Sequence, residues 1–163
     1  MRREVLTWND VDALIDHLIP QFEGTFDAIL MITRGGIVPG GILAEAMDIH
    51  TVLTASVHFE ASVERQMALP VFHQFPRDTL LARKWVLIVD DIWAGGRTAR
   101  AVQGRVAAAG GRPTVAVLHY KPGRSLFRDI GPDFYAAVTD AWIVYPWEAP
   151  RDLIGISPLT PEL

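Results

Sequence analysis

Trp85-Val86-Leu87-Ile88-Val89-Asp90-Asp91-Ile92-Trp93-Ala94-Gly95-Gly96-Arg97-Thr98 is the stretch whose reading decides the fold of this chain. Val86, Leu87, Ile88 and Val89 form an unbroken apolar run rich in β-branched residues, the signature of a strand buried on both faces. Two carboxylates, Asp90 and Asp91, stand where that strand ends. A glycine turn then opens a helix that starts near Thr98. In an open parallel sheet, ligands sit at the carboxyl ends of the strands. A glycine turn before a helix presents free backbone N–H groups and a positive dipole end, which suit a phosphate. Acids beside such a cradle can hold Mg²⁺ or ribose hydroxyls. Taken alone, the same residues also describe an ordinary βα unit with acids at the end of its strand. Two other nucleotide motifs fit poorly. The dinucleotide fingerprint sets its glycines straight after the strand, and a P-loop needs a Gly-Lys-Ser/Thr that is absent.

The pattern repeats on either side. Residues 28–32 form another buried strand, followed by Thr33-Arg34-Gly35-Gly36 and a helix over residues 42–47. Two glycines let the backbone approach a ligand closely, and Arg34 can grip a diphosphate in bidentate fashion. Upstream, Asn9 is the expected N-cap of a helix. Its apolar face is Val11, Leu14, Ile15, Leu18 and Ile19, and Pro20 marks its end. Residues 51–59 read as a strand, and residues 60–83 lose clear periodicity. A connection that long in a compact domain is usually functional or mobile. Downstream, residues 98–109 are a small-residue helix closed by Gly110-Gly111, and residues 114–120 are the next buried strand. Alternating βα units with buried strands imply an α/β fold, an open parallel sheet with helices on both faces.

Composition fits that picture. The chain has 163 residues, enough for one domain with a proper core. Its net charge of −4 argues against a general nucleic-acid coat. It has no cysteine, which excludes disulfides and thiolate chemistry. No apolar run approaches a membrane span, and the start at Met1-Arg2-Arg3-Glu4 does not lead into an apolar signal core. A cytoplasmic protein is expected.

Apolar strand, two acids, an apolar pair, a glycine loop and Thr98 together resemble the 5-phosphoribosyl-1-diphosphate (PRPP) motif of the type I phosphoribosyltransferases. Three more stretches carry the resemblance: Thr33-Arg34-Gly35-Gly36, Tyr120-Lys121-Pro122, and the Trp142-Ile143-x-x-Pro146-Trp147-Glu148 pattern. It covers residues 6–148 and is nearest to the xanthine-guanine and hypoxanthine-type purine branch. It implies one domain over residues 1–163, with a flexible lid within 61–79 and a base-binding C-terminal hood at about 121–150. Asp90 and Asp91 would be catalytic, against the ribose hydroxyls or through Mg²⁺ as metal ligands. Arg34 and Gly35 would hold the diphosphate, often beside a non-proline cis peptide. Ala94, Gly95, Gly96, Arg97 and Thr98 would bind the 5′-phosphate. Lys121 would donate to a purine 6-oxygen, Trp142 would stack on the base, and Ile143 and Glu148 would meet its edge. The implied partners are PRPP, a purine base and other copies of the chain, as a dimer or tetramer.

The resemblance has a gap. The purine branch usually carries an aspartate where Ala94 stands, taken as the general acid/base near N7 of the base, and a threonine where Gly95 stands. Ala94 cannot hold a proton. Transfer to a 6-oxopurine is therefore expected beside two alternatives: a PRPP-binding regulator that does not turn over, and transfer to another base.

Overall fold

The computed structural model describes residues 2–60 and 69–148. In chain order the elements are β1 (Arg3–Val5), α1 (Trp8–Leu18), β2 (Ala28–Ile32), α2 (Ile37–Ala46), β3 (Val52–Glu60) and β4 (Leu69–Gln74). They continue with β5 (Trp85–Trp93), α3 (Arg97–Ala108), β6 (Arg112–Tyr120), β7 (Phe134–Val138) and β8 (Trp142–Val144). Six strands form the main sheet in the order β4-β3-β2-β5-β6-β7. Every neighbouring pair is parallel except β3–β4, so the sheet is mostly parallel with one antiparallel edge. Of residues 61–79, expected as a lid, 61–68 lie outside the described residues and 69–74 form that edge strand. A second, two-stranded sheet pairs β1 with β8.

Two apolar layers sandwich the sheet. Val11, Ile15 and Leu18 of α1, with Leu43 and Ala44 of α2, pack on Ile29, Leu87, Val89, Ala116 and Leu118. On the other face Ala99, Val102 and Val106 of α3 pack on Leu30, Ile32, Val86, Ile88, Val115 and Val117. Helices thus lie on both faces. The loops after β2 and β5 open at the same, carboxyl-terminal edge, because those two strands are parallel neighbours in the middle of the sheet. Among the described residues, no helix is long and apolar enough to cross a membrane.

Helix α1 starts earlier than its periodicity indicates. The cap is Thr7, not Asn9: the Asp10 N–H donates to Thr7 Oγ1 at 3.2 Å, and the Thr7 N–H donates to Asp10 Oδ2 at 2.7 Å. This reciprocal pair satisfies two otherwise free donors. Thr7→Ala is expected to lower the melting temperature by about 2–4 °C, as read by calorimetry. Helix α2 also starts earlier, at Ile37 rather than residue 42. Pro39 sits in its first turn, where a missing N–H costs no helical hydrogen bond.

Candidate active site

Neighbouring residues of a strand point to opposite faces. Along β5, Leu87 and Val89 belong to the α1/α2 layer, and Val86 and Ile88 to the α3 layer. Unbroken alternation would send Ile92 to the α3 layer. Instead Ile92 packs on the α1/α2 layer and Trp93 on the α3 layer. The break falls at the two acids. Ladder partners to β6 run from Trp85↔Arg112 to Asp90↔Val117, skip Asp91, and resume at Ile92↔His119. Asp90 and Asp91 consequently line one cavity of about 460 Å³, with Arg34, Gly35, Trp147 and Glu148.

Arg34 and Gly35 reach this cavity from the loop after β2, where the Thr33–Arg34 peptide is cis. Gly35 passes directly under the Asp91 carboxyl: a Cβ there would lie 2.5 Å from Asp91 Cγ and Oδ1. Asp91 is 9% exposed. Its N–H donates to Asp90 Oδ1 at 3.0 Å, and its carbonyl accepts from the Tyr145 hydroxyl at 3.0 Å. Burial, and then the Glu148 charge, push the Asp91 carboxyl up to about 6. Burial, and then the Asp91 charge, hold Asp90 well above the usual carboxylate range. Among the described residues no cation lowers either acid, so a cation bound between them is favoured. Hard oxygen donors suit Mg²⁺. Among the described residues no three His, Cys, Asp or Glu side chains converge as a metal site. Mg²⁺ typically takes one or two carboxylates and completes its shell with water and phosphate oxygens, so the two aspartates fit it.

A second cavity, of about 290 Å³, shares Asp90 with the first. Ala94, Gly95, Gly96, Arg97 and Thr98 line it, opposite Phe59 of β3. Gly96 has φ +82°, and a Cβ on it would run into the Trp93 indole. Trp93 is buried, with its Nε1–H donating to Ser125 Oγ at 3.2 Å. The Arg97 guanidinium lies 5.5 Å from the centre of the Phe59 ring, a cation–π contact. The N-terminus of α3 directs its free N–H groups at this loop.

The residues expected at the base are not all gathered here. Glu148 lines the first cavity. Lys121 is buried but lines a separate cavity of about 490 Å³ with Arg2, Arg124, Thr139 and Asp140. Burial, and then Arg124, lower its pKa. Trp142 is 57% exposed on β8, and Ile143 is buried in the α1/α2 layer. Conversely, three aromatic or imidazole groups stand at or just behind the site with no role assigned from the sequence: Trp147, Tyr145 and His119. Trp147 lines the first cavity and stacks on Tyr145, with ring centres 4.6 Å apart and planes at 7°. Its Nε1 is buried and has no hydrogen-bond partner among the described residues. The Tyr145 hydroxyl also meets His119 Nδ1 at 2.7 Å. Burial first of all pushes the His119 pKa down to about 4, so the ring is neutral at physiological pH. A buried side chain so far along the strand leaves no periodic mark that would flag it.

Comparison with known proteins agrees with this geometry. The family description "phosphoribosyl transferase domain" matches residues 4–152. The chain belongs to the phosphoribosyltransferase family. Among its relatives is a xanthine-guanine phosphoribosyltransferase of Desulfotalea psychrophila, 32% identical over 76% of this chain and 71% of the relative. One from Gluconobacter oxydans is 31% identical over 88% of this chain and 83% of its own length. A crystal structure of a purine phosphoribosyltransferase from Pyrococcus horikoshii Ot3 superposes with a TM-score of 0.76 at 31% identity, covering 93% of this chain and 97% of that one. In this phosphoribosyltransferase the joined cavities lie at the carboxyl ends of β2 and β5, where open α/β sheets bind ligands.

Proposed function

We propose that this phosphoribosyltransferase moves the 5-phosphoribosyl group of PRPP to a nitrogen of a 6-oxopurine (guanine, xanthine or hypoxanthine), with release of diphosphate. The observation that carries this reading is the pair of cavities meeting at Asp90, one anion cradle and one acidic pocket with a lone arginine. PRPP has the matching layout, a 5′-phosphate and a diphosphate on either side of a ribose. The relatives named xanthine-guanine phosphoribosyltransferase support the purine acceptor.

On this reading the α3 N-terminus, the loop N–H groups and the Thr98 hydroxyl hold the 5′-phosphate. Asp90 and Asp91 lie against the ribose hydroxyls and stabilise positive charge as the bond to the diphosphate stretches. Arg34 and the Gly35 backbone take the leaving diphosphate. Mg²⁺, when bound by the two aspartates, supplies neutralisation of phosphate charge. The Trp147 N–H, without a partner among the described residues, offers a further donor beside this pocket. Lys121, Trp142, Ile143 and Glu148 are the base-side residues, and the lid lies within residues 61–79, by resemblance to the family. On the same ground the protein works in the cytoplasm as a dimer or tetramer.

Ala94 is the departure to test. It lines the phosphate cavity and brings no group able to carry a proton. A transfer assay with labelled guanine, xanthine, hypoxanthine, adenine and uracil, in PRPP and Mg²⁺, decides the acceptor. Turnover is expected with at least one 6-oxopurine and with neither adenine nor uracil. Ala94→Asp is expected to raise kcat by about 10–100-fold, up to the lower end of the roughly 10²–10⁴-fold usual for general acid–base help. Wild-type protein that binds PRPP but transfers to no purine would overturn the proposal in favour of a PRPP-binding regulator.

A further inference from the structure

Tyr145 is fixed from three sides. It is 2% exposed, and its ring stacks on Trp147. Its N–H donates to Glu148 Oε2 at 3.0 Å. Its hydroxyl has one hydrogen, and the 3.0 Å contact to the Asp91 carbonyl uses it. The partner at 2.7 Å, His119 Nδ1, must then be the donor, so neutral His119 carries its proton on Nδ1. His119 stands on β6 opposite Ile92, the first pair after the skipped residue. The hydroxyl thus sits where the face alternation of β5 breaks, and it gives the buried Asp91 carbonyl a hydrogen-bond donor.

We propose that Tyr145 and His119 are positioning residues: their hydrogen-bonded pair anchors the Asp91 carbonyl at the break in alternation and keeps the Asp91 carboxyl turned into the active-site cavity. Without the hydroxyl, Asp91 is free to rejoin regular alternation, which would draw its side chain away from Asp90. The pair also ties the 142–148 segment to the acid through Tyr145, so the hood and the catalytic strand are set together. This inference rests on the reading of Asp91 as the group that meets the ribose or Mg²⁺.

Three variants test it: Tyr145→Phe, His119→Leu and His119→Asn. The first keeps the stacked ring and removes the hydroxyl. The asparagine amide can replace Nδ1–H at nearly the same place, whereas leucine of similar size cannot. Two readouts are taken well below the melting temperature of each variant: kcat for base transfer, and the Kd for PRPP with Mg²⁺ by titration calorimetry. Tyr145→Phe is expected to lose about 10–100-fold in kcat and bind PRPP about 3–10-fold more weakly. His119→Leu should lose about 10-fold in kcat, and His119→Asn should stay within about 2-fold of wild type. A merely structural role would lower the melting temperature of both His119 variants and leave kcat per folded molecule unchanged.

Wild-type kcat and Kd in Tyr145→Phe would overturn the proposal, as would equal losses in the two His119 variants. If Tyr145→Phe does not fold, the comparison of His119→Asn with His119→Leu decides. No turnover by wild type rejects the transfer reading alone, and the PRPP Kd series still decides the clamp. No PRPP binding by wild type rejects both.

Discussion

Asp91→Asn is expected to abolish transfer and, at the same time, to make the ligand-free protein more resistant to heat. The two effects have one cause. The Asp91 carboxyl is buried over Gly35 and faces Glu148, and these surroundings hold it at about 6. At pH 7–8 it is ionised in a place that disfavours its charge. Asparagine keeps the shape and removes the charge. Substrate loses a carboxylate aimed at developing positive charge, an effect on the order of 10²–10³-fold in kcat for one such group. The folded chain loses a penalty on the order of 3 kcal/mol for a carboxyl held at about 6 rather than 3.8. The melting temperature should therefore rise by roughly 5–10 °C.

The pH dependence of that gain has a definite sign. Between pH 3.8 and about 6 the folded state of the wild type binds more protons at Asp91 than the unfolded state does. Stability therefore falls as pH rises through this window, and the loss is complete above it. Asp90, raised as well, adds a loss of the same sign. Asp91→Asn should melt far above wild type at pH 8 and close to it at pH 4, by calorimetry in a chelating buffer. A wild-type melting curve that stays level with the variant from pH 4 to 8 would refute the assignment of strain to these acids. Added Mg²⁺ with PRPP should stabilise the wild type more than the variant, because only the wild type gains from neutralisation.

Much of the arrangement is legible before any coordinates are seen. A continuous apolar run such as Val86 to Val89 has few folded solutions besides a buried parallel strand, and glycines after it leave little choice but a tight turn into a helix. The same logic places Arg34 and Gly35 at the neighbouring strand's end. What is not legible depends on contacts between distant residues. Period-two alternation assigns Asp90 and Asp91 to opposite faces; their shared cavity goes with the break in alternation before Ile92, where the Tyr145 hydroxyl, from 54 residues away, bonds the Asp91 carbonyl. Strand β4 carries a proline and alternates poorly, because its pairing partner β3 rather than its own composition makes it a strand. The three-residue strands β1 and β8 exist only through each other. At the base side, Lys121 and Trp142 are singled out by resemblance alone, and neither lines the cavity of Arg34 and the aspartates.

Gly96→Ala is expected to be the most damaging single-methyl change in the phosphate loop. Gly96 adopts φ +82°, a left-handed conformation that costs an L-residue about 1–2 kcal/mol. The added Cβ would also collide with the indole of Trp93, which is 1% exposed and held by Ser125. Trp93 has nowhere to move without disturbing Ala99 and Val102 in the α3 layer, so the loop must yield instead. Overpacking of this kind adds about 1–3 kcal/mol. Together these give a loss of about 2–5 kcal/mol in a denaturant melt. The loop that yields is the one whose N–H groups face the second cavity, so PRPP affinity should fall by about 10–100-fold in the same variant. Gly95→Ala is the control. Its φ is not in the left-handed region, and its added methyl would meet only Leu126, at 3.6 Å, an ordinary contact. It should leave the denaturant midpoint within experimental scatter. Equal destabilisation by both alanines would mean that loop entropy, rather than the Trp93 contact and the sign of φ, governs the turn.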